Sequence, residues 1–289
     1  MRNLLIFSSY SADKQPPDYV LHLLKNIQDN CEITKTIFVW TGAELSQAID
    51  EGLRANNTEV IIRENIGFDF ASYKHALSHE KPQASDYDGI FFANDSVYGP
   101  FNDMKTAVSG HQQFDIWGMT DSWQHAYHLQ TYFFYVRNTA FDDIQSFFHQ
   151  YKNYTQHSDI VKQGEMKLSQ WFLDHGKELG CKVTARKVIA SHFSNKPILK
   201  LVTQLKSIFL YFNKNRNPLL DFSVTKKLWE SSLKVGSPFL KRKLLVDKKN
   251  YKHHNEKWLQ VIGPSYQVAA ALAYKSVIAE REKKYGSKD

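Results

Sequence analysis

The stretch YDGIFFANDSVYGPF, residues 87–101, carries the pattern that decides the fold. An apolar run ends at Ala93, the small polar residues Asn94, Asp95 and Ser96 follow, and Gly99-Pro100 then turns the chain. A short apolar run bounded by turn residues predicts a strand that is buried on both faces. Asp95 is a single carboxylate at the carboxyl end of that strand, which is where ligands bind in parallel α/β sheets.

The sequence around this strand alternates between β-rich apolar runs and helical patterns. Strands are predicted at residues 4–8, 36–41, 59–62, 89–93 and 115–119, and helices at residues 18–29, 43–53, 70–79 and 102–109. This alternation predicts a Rossmann-type α/β fold, with a mostly parallel sheet flanked by helices. Ser9, Tyr10, Thr41, Arg63 and Asp95 then lie at or just beyond the carboxyl ends of their strands.

After residue 120 the alternation breaks. An aromatic strand is predicted at residues 128–137, helices at residues 141–151 and 159–175, and a further strand at residues 181–186. From residue 196 onward the pattern is helical, with breaks at proline and glycine. We therefore expect an α/β domain that carries the functional site over residues 1–195, and a basic helical appendage packed on it over residues 196–289.

The composition is that of a globular protein from a reducing compartment. The length of 289 residues allows one large or two small domains. The hydrophobic fraction of 42% is sufficient for a buried core. Cys31 and Cys181 lack CxxC spacing and are expected to be free thiols. No apolar run has the length of a signal peptide or a membrane span, and the first one is expected to be a strand. The sequence predicts a cytoplasmic protein, either soluble or peripherally attached to a membrane.

The charge is unevenly distributed along the chain. Residues 1–195 carry 17 basic and 23 acidic side chains, whereas residues 196–289 carry 20 and 7. The basic part contains ILKLVTQLKSIFLYF (residues 198–212) and PFLKRKLL (residues 238–245), which mix lysine with large apolar residues. This mixture favours binding to an anionic membrane surface. Nucleic acid is a weaker expectation, because no zinc-finger, RNP-like or helix-turn-helix pattern occurs. The alternative is that the apolar residues pack on the α/β domain and the lysines face water.

The stretch RENIGFDFASYK, residues 63–74, combines a glycine turn with the start of a helix. Gly67 permits a tight turn after a predicted strand, and a helix is expected to begin near Asp69. The free N–H groups and the dipole at such a start favour the binding of a diphosphate, and Arg63 and Lys74 add positive charge. The plainer interpretation is a loop in which Asp69 only caps the helix.

Four motifs occur in a fixed order along the chain. They are R-x-N-x-G-x-D-x-x-x-Y-K from Arg63, N-D-S-x-x-G-P from Asn94, W-G-x-T-D-S from Trp117 and H-L-Q-T-Y-F from His128. In order and spacing they resemble the rhamnan synthesis protein F family, bacterial glycosyltransferase-like proteins that build rhamnose-containing and other surface polysaccharides. The resemblance extends over residues 4–247 and implies a GT-A-like fold. It also implies a nucleoside-diphosphate sugar donor, such as dTDP-rhamnose, and a lipid-linked glycan acceptor.

The resemblance implies a donor site along the strand ends. In GT-A enzymes an acidic motif at the end of a central strand holds a divalent cation, Mn²⁺ or Mg²⁺, that bridges the donor phosphates. Asp95 occupies this position, although its neighbours are not carboxylates, and His192 is the candidate for a second metal ligand. The residues expected to bind the donor are Ser9, Tyr10, Arg63, Asn65, Gly67, Asp69, Tyr73, Lys74, Asn94, Asp95 and Ser96.

An inverting glycosyltransferase needs a carboxylate that faces the acceptor hydroxyl as general base. Glu165, which follows Gly164 at the start of an amphipathic helix, is the first candidate, and Asp121 is the second. The plainer interpretation of Glu165 is a glutamate favoured by the helix dipole. The residues expected to stack on or hydrogen-bond the acceptor sugar are Trp117, Tyr127, His128 and Gln130.

The sequence leaves a second class of function open. The missing second carboxylate beside Asp95 is also expected of a catalytically silent nucleotide- or glycan-binding partner in a polysaccharide assembly complex. Hydrolysis of the donor in the absence of acceptor distinguishes an enzyme from such a partner.

Overall fold

The structure, a computed structural model, describes residues 1–12, 15–194, 224–247 and 257–286. Strands and helices alternate through its first part, as the sequence predicts. In chain order the elements are β1 (Asn3–Ser9), α1 (Asp18–Asn30), β2 (Ile33–Trp40), α2 (Gln47–Ala55), β3 (Thr58–Ile62), α3 (Phe68–Glu80), β4 (Gly89–Asn94), β5 (Val97–Tyr98) and α4 (Met104–Val108).

The later elements depart from simple alternation. A strand-rich part contains β6 (Ile116–Ser122), β7 (His128–Leu129), β8 (Phe133–Arg137), α5 (Phe141–Gln150), α6 (His157–Asp159), a π-helical segment (Ile160–Met166), α7 (Lys167–Asp174), β9 (Leu179–Val183) and α8 (Ala185–Ser194). A mostly helical part follows with α9 (Val224–Lys227), α10 (Trp229–Lys234), β10 (Leu240–Lys241), α11 (Arg242–Val246), α12 (Lys257–Val261) and α13 (Gln267–Tyr285). Short 3₁₀ turns lie at His111–Gln113, Asn138–Ala140 and Pro264–Tyr266.

The main sheet has the strand order β3-β2-β1-β4-β8-β6, with β7 and β9 both paired to β6. Strands β1 to β4 run parallel, as do β6 and β9, whereas β8 lies antiparallel between β4 and β6. The predicted fold class, a mostly parallel Rossmann-type sheet flanked by helices, is confirmed. The strand predicted at residues 128–137 is two strands, and the one predicted at residues 181–186 ends at Val183, because α8 begins at Ala185.

Both faces of the sheet are covered by apolar clusters. Along β1, Leu5 and Phe7 join the cluster that contains α1, whereas Leu4 and Ile6 join the cluster that contains α3, α5 and α7. Successive side chains of a strand point to opposite faces, so the continuous apolar run of β1 serves both layers. A strand of this kind leaves only its end residues available for chemistry.

The C-terminal part packs on the first of these clusters. Trp229, Leu245 and Trp258 belong to the same buried cluster as Phe7. Strand β10 pairs antiparallel with β5, which sets Leu240 opposite Tyr98 and Lys241 opposite Val97. The segment after residue 223 is therefore attached to the sheet domain by backbone hydrogen bonds as well as by apolar packing.

This packing corrects one expectation about PFLKRKLL. Its apolar side chains lie in the core, with Phe239 at 5% exposure and Leu240, Leu244 and Leu245 at 1% each, so they are not available for insertion into a membrane. The stretch ILKLVTQLKSIFLYF lies outside the described residues. Among the helices of the described ranges, none is both long enough and apolar enough to span a bilayer.

Candidate active site

The carboxyl ends of β1, β2 and β4 meet at one edge of the sheet. The Thr41 N–H donates to the Ser9 carbonyl (3.0 Å), and the Asp95 N–H donates to the Ser8 carbonyl (3.3 Å). The Asn94 N–H donates to the carbonyl of Tyr132 (3.1 Å), which brings the start of β8 to the same edge. The strand-end residues singled out in the sequence therefore share one surface.

Asp95 is held by the end of β1. Its Oδ2 accepts hydrogen bonds from Ser9 Oγ (3.0 Å) and from the Tyr10 N–H (2.9 Å), and its Oδ1 lies 3.9 Å from Nη1 of Arg242. Burial raises the pKa of Asp95, while the Arg242 guanidinium and the two hydrogen bonds oppose that rise. Ser9 and the Tyr10 backbone thus fix the carboxylate, and the Tyr10 side chain is 44% exposed beside it.

Asn94 joins Ser96 to Asp69. Its Nδ2 donates to Asp69 Oδ2 (2.6 Å), and its Oδ1 accepts from the N–H (3.0 Å) and the Oγ (2.6 Å) of Ser96. A carboxylate in place of Asn94 could not donate to Asp69. Burial and then the charge of Glu165 raise the pKa of Asp69 to about 6. The amide therefore connects the β4 end to the β3–α3 loop.

The β3–α3 loop is shaped by Gly67 and Arg63. Gly67 has a φ of +83°, and a Cβ there would lie 2.6 Å from the Cβ of Ala71, so the turn favours glycine on both grounds. The Arg63 guanidinium donates to Ser72 Oγ (3.2 Å) and to the Ile66 carbonyl (2.5 Å). Arg63 thus stabilises the loop itself, and Asn65 is exposed on it.

Two residues predicted to bind the donor make contacts beneath the edge. Tyr73 is fully buried, and its hydroxyl donates to the Thr131 carbonyl (3.4 Å). Lys74 Nζ donates to the carbonyls of Tyr151 (2.6 Å) and His149 (3.4 Å) at the end of α5. These contacts join elements of the fold, and we leave both residues out of the proposed site.

Glu165 lies beside His128 at this edge. Glu165 Oε2 is 3.8 Å from Nε2 of His128, with the two side chains 22% and 4% exposed. Glu165 belongs to the π-helical segment, and Gly164 lets that segment approach the Phe70 ring, because a Cβ there would lie 3.0 Å from ring atoms. Interruptions of this kind in an α-helix are frequent at functional sites. The close approach to Phe70 brings Glu165 near Asp69.

The protonation state of His128 follows from its contacts. Its Nδ1 lies 2.8 Å from the Ala126 carbonyl, which only accepts, so we assign the proton of the neutral ring to Nδ1. Burial lowers the pKa of His128, while the Glu165 carboxylate opposes this change. The unprotonated Nε2 and the Glu165 carboxylate then face each other, and together they can accept one proton.

The other residues predicted to bind the acceptor differ in position. Trp117 is only 2% exposed and packs edge-on against Phe133, so we leave it out of the proposed site. Tyr127 is partly exposed, with its ring 5.0 Å from that of Trp123. Gln130 is also partly exposed, and its Oε1 accepts from Thr120 Oγ1 (2.9 Å).

Asp121, the second candidate base, supports the fold. It is 5% exposed, and its Oδ1 accepts from the Ala185 N–H (2.5 Å) at the start of α8. Burial raises its pKa to about 6, and this hydrogen bond opposes the rise. The geometry therefore favours Glu165 over Asp121 as the residue that faces a substrate.

The residues around Asp95 do not fit a divalent cation. One oxygen of Asp95 already accepts two hydrogen bonds, the other faces Arg242, and the Asn94 oxygen is used by Ser96. His192 lies on α8, where its Nδ1 is 3.2 Å from Ser231 Oγ. Across the ranges that the structure describes, no group of three or more His, Cys, Asp or Glu side chains could hold a metal ion. We derive no step through a metal.

Two basic residues at this edge escaped the sequence-based prediction. Arg242 donates from Nε to Glu280 Oε2 (3.0 Å) and from Nη1 to the Tyr19 hydroxyl (3.3 Å), besides facing Asp95. Lys241 Nζ lies 4.0 Å from the centroid of the Tyr132 ring. The only sequence signal for them is the basic run PFLKRKLL, which we interpreted as a segment that binds a membrane surface.

Comparisons with known proteins agree with the motif pattern. The family model described as rhamnan synthesis protein F matches residues 37–220. Virulence protein VirA of Vibrio anguillarum is 32% identical over 260 residues, which is 85% of this chain and 80% of that protein. Among solved structures, S. aureus TarS 1-349 in complex with UDP is 12% identical. The match covers 99% of this chain and 92% of the TarS chain, with a TM-score of 0.41. A cytidylyltransferase from Leptospira borgpetersenii is 11% identical, with 75% and 98% coverage and a TM-score of 0.35.

Proposed function

The chain belongs to the rhamnan synthesis protein F family, and on that premise we propose that it is a glycosyltransferase. In this proposal it transfers a sugar from a nucleoside-diphosphate donor to a growing bacterial surface polysaccharide. The observation that carries the proposal is the pairing of Glu165 with His128 at 3.8 Å, at the sheet edge where Asp69, Asn94 and Asp95 also lie.

The strand-end residues are suited to the donor. Asp69, Asn94 and Ser96 are linked by hydrogen bonds of 2.6 to 3.0 Å, and Asp95 is fixed by Ser9 and Tyr10. Such a preorganised polar surface costs little to order when a nucleotide binds. In this proposal these groups contact the hydroxyls of the ribose and of the donor sugar, and Asn65 and the turn at Gly67 border the nucleotide.

Glu165 and His128 are suited to the acceptor. In the transfer, the acceptor oxygen forms a bond to the anomeric carbon, and the bond from that carbon to the phosphate oxygen breaks with its electron pair remaining on the phosphate. The proton of the acceptor hydroxyl passes to the Glu165 carboxylate, and the unprotonated His128 Nε2 accepts a hydrogen bond from a neighbouring hydroxyl of the acceptor sugar. Tyr127 and Gln130, both partly exposed, border the acceptor.

Membership of the family supports a finer proposal for the substrates. We propose dTDP-rhamnose or a similar nucleotide sugar as donor and a lipid-linked glycan as acceptor. We also propose that the protein works at the inner face of the bacterial membrane, where a lipid-linked acceptor would lie. Because the apolar side chains of PFLKRKLL are buried, attraction to anionic lipid would be electrostatic in the described part of the basic segment. Retention on anionic vesicles that is lost at high salt tests this attachment.

Hydrolysis of nucleotide sugars tests the proposal. The purified protein is incubated with dTDP-rhamnose, UDP-glucose or GDP-mannose, without acceptor, in EDTA and in Mn²⁺. We expect slow release of the nucleoside diphosphate from at least one donor and its loss in Glu165→Gln. Binding of a nucleotide sugar without any release, in the presence of a glycan acceptor as well, would instead identify a catalytically silent binding partner.

A further inference from the structure

We infer that Lys241 is the cation that binds the diphosphate of the donor. This inference rests on the proposed function and adds to it a residue from the C-terminal segment, which the sequence pattern had assigned to an appendage.

The backbone places Lys241 directly beside the strand-end residues. Lys241 pairs with Val97 in the β5–β10 ladder, and the Arg242 N–H donates to the Ser96 carbonyl (2.8 Å). Val97 and Ser96 immediately follow Asp95 in the chain. Two backbone contacts therefore fix the position of Lys241 relative to the proposed donor site.

The side chain lies at the same edge. Lys241 Nζ is 4.0 Å from the centroid of the Tyr132 ring, and the Tyr132 carbonyl accepts the Asn94 N–H. Tyr132 itself is held by a contact of 2.8 Å between its hydroxyl and Thr120 Oγ1. The ammonium group therefore lies against a rigid aromatic face next to Asn94, and the ring attracts the cation without using its hydrogen-bond donors.

Among the residues that the structure describes, Lys241 has no anion as a direct partner. Within the described residues no carboxylate lies within ion-pair distance of its Nζ and no acceptor is hydrogen-bonded to it, whereas Lys35, Lys177, Lys234 and Lys284 each pair with an acidic residue. Burial lowers the pKa of Lys241 to about 8, and the charges of Glu165 and Asp69 oppose this change. A partly buried ammonium with unused donors is unfavourable until an anion supplies the missing acceptors.

Lys226 and Lys243 also lower the pKa of Lys241, and Arg242, the cation next to it in the chain, is already engaged. Arg242 contacts Glu280, Tyr19 and Asp95, so its guanidinium balances carboxylates of the protein. Lys241 is thus a cation at this edge with donors available for a phosphate oxygen. As a point charge it stabilises the negative charge that develops on the departing nucleoside diphosphate.

The test measures how strongly the diphosphate of a nucleotide contributes to its binding. Four proteins are compared: wild type, Lys241→Met, Lys241→Arg and Lys234→Met. Lys234 is an exposed lysine that pairs with Glu230 within its own helix and serves as the matched control. The probes are dTDP, UDP and GDP, each beside its nucleoside, and dissociation constants are measured by calorimetry. Thermal unfolding is measured alongside, and Lys241→Gln replaces Lys241→Met where the latter does not fold.

We expect Lys241→Met to bind the preferred nucleoside diphosphate at least tenfold more weakly, while nucleoside binding changes less than twofold. Lys241→Arg should retain most of the affinity, and Lys234→Met should match wild type. Wild-type affinity of Lys241→Met for the diphosphate, or equal weakening of diphosphate and nucleoside, would overturn the inference and leave the glycosyltransferase proposal standing. Failure of the wild type to bind any of the three diphosphates would overturn both.

Discussion

Glu165 Oε2 lies 3.8 Å from Nε2 of His128, although 37 positions separate the two residues in the sequence. The contact exists because the π-helical segment packs over Phe70 and β7 extends beside β6. It brings a carboxylate and an unprotonated imidazole nitrogen to a surface lined by polar strand ends.

Glu165→Gln should lower turnover by roughly 10²-fold or more, because the amide cannot accept the acceptor proton. The affinity for nucleoside diphosphate should remain within about twofold, since no donor contact is assigned to Glu165. Steady-state kinetics and calorimetry measure the two quantities. Full activity of this variant would remove Glu165 from the role of base.

Asp121→Ala should destabilise the protein without impairing nucleotide binding. The substitution leaves the buried Ala185 N–H without its acceptor, which costs about 1–3 kcal/mol in the free energy of unfolding. Chemical denaturation measures the loss, with Asp121→Asn as the control that retains an acceptor oxygen. If Asp121→Asn folds normally but has lost turnover, Asp121 rather than Glu165 is the base.

Asp69 should make the stability depend on pH. Its native pKa, raised to about 6, lies above its value in the unfolded chain, so the folded protein binds the proton more tightly. The contribution of Asp69 to the free energy of unfolding therefore falls as the pH rises from about 4 to about 6, by up to about 3 kcal/mol. Denaturation of wild type and Asp69→Asn at about pH 4 and about pH 7 isolates this change. A difference between the two proteins that is the same at both pH values would refute the assignment.

Gly67→Ala should cost more stability than Gly176→Ala. Both glycines have positive φ, at +83° and +69°, but only at Gly67 would the new Cβ meet another atom, the Cβ of Ala71 at 2.6 Å. We expect Gly176→Ala to cost about 1 kcal/mol from backbone strain and Gly67→Ala about 1–2 kcal/mol more. Gly67→Ala should also weaken nucleotide binding. Equal destabilisation by the two changes would show that the β3–α3 loop tolerates the contact.

The parallel part of the sheet could be predicted because each strand is a continuous apolar run that ends in polar residues. Gly67 and Asp95 were identifiable for the same reason, since local pattern fixes the end of a strand. The sequence motif groups Lys74 with Asp69, but the two residues lie on different sides of α3. Five residues turn an α-helix by about 500°, so Lys74 lies about 140° around the helix axis from Asp69. Trp117 sits in a strand between two layers, where the sequence alone does not assign a face.

The positions of Lys241 and Arg242 could not be predicted from local sequence. They reach the site through a ladder of only two residues on each strand, β5 and β10, which are separated by more than 140 positions. So short a ladder has no periodic signature, and a cluster of lysine, arginine and leucine is equally typical of a membrane-facing helix. The contacts of His192 could not be predicted for a related reason, because a lone histidine carries no information about its partner.

The pairing of β10 with β5 also bears on the order in which the candidate site is completed during synthesis. In the described ranges every strand of the main sheet ends by Val183, so the sheet can assemble before β10 has been synthesised. At that stage Asp95 lacks its guanidinium partner and the Tyr132 ring is uncovered. A nascent chain that has folded its sheet therefore still has an incomplete candidate site, which Lys241 and Arg242 complete when β10 pairs with β5.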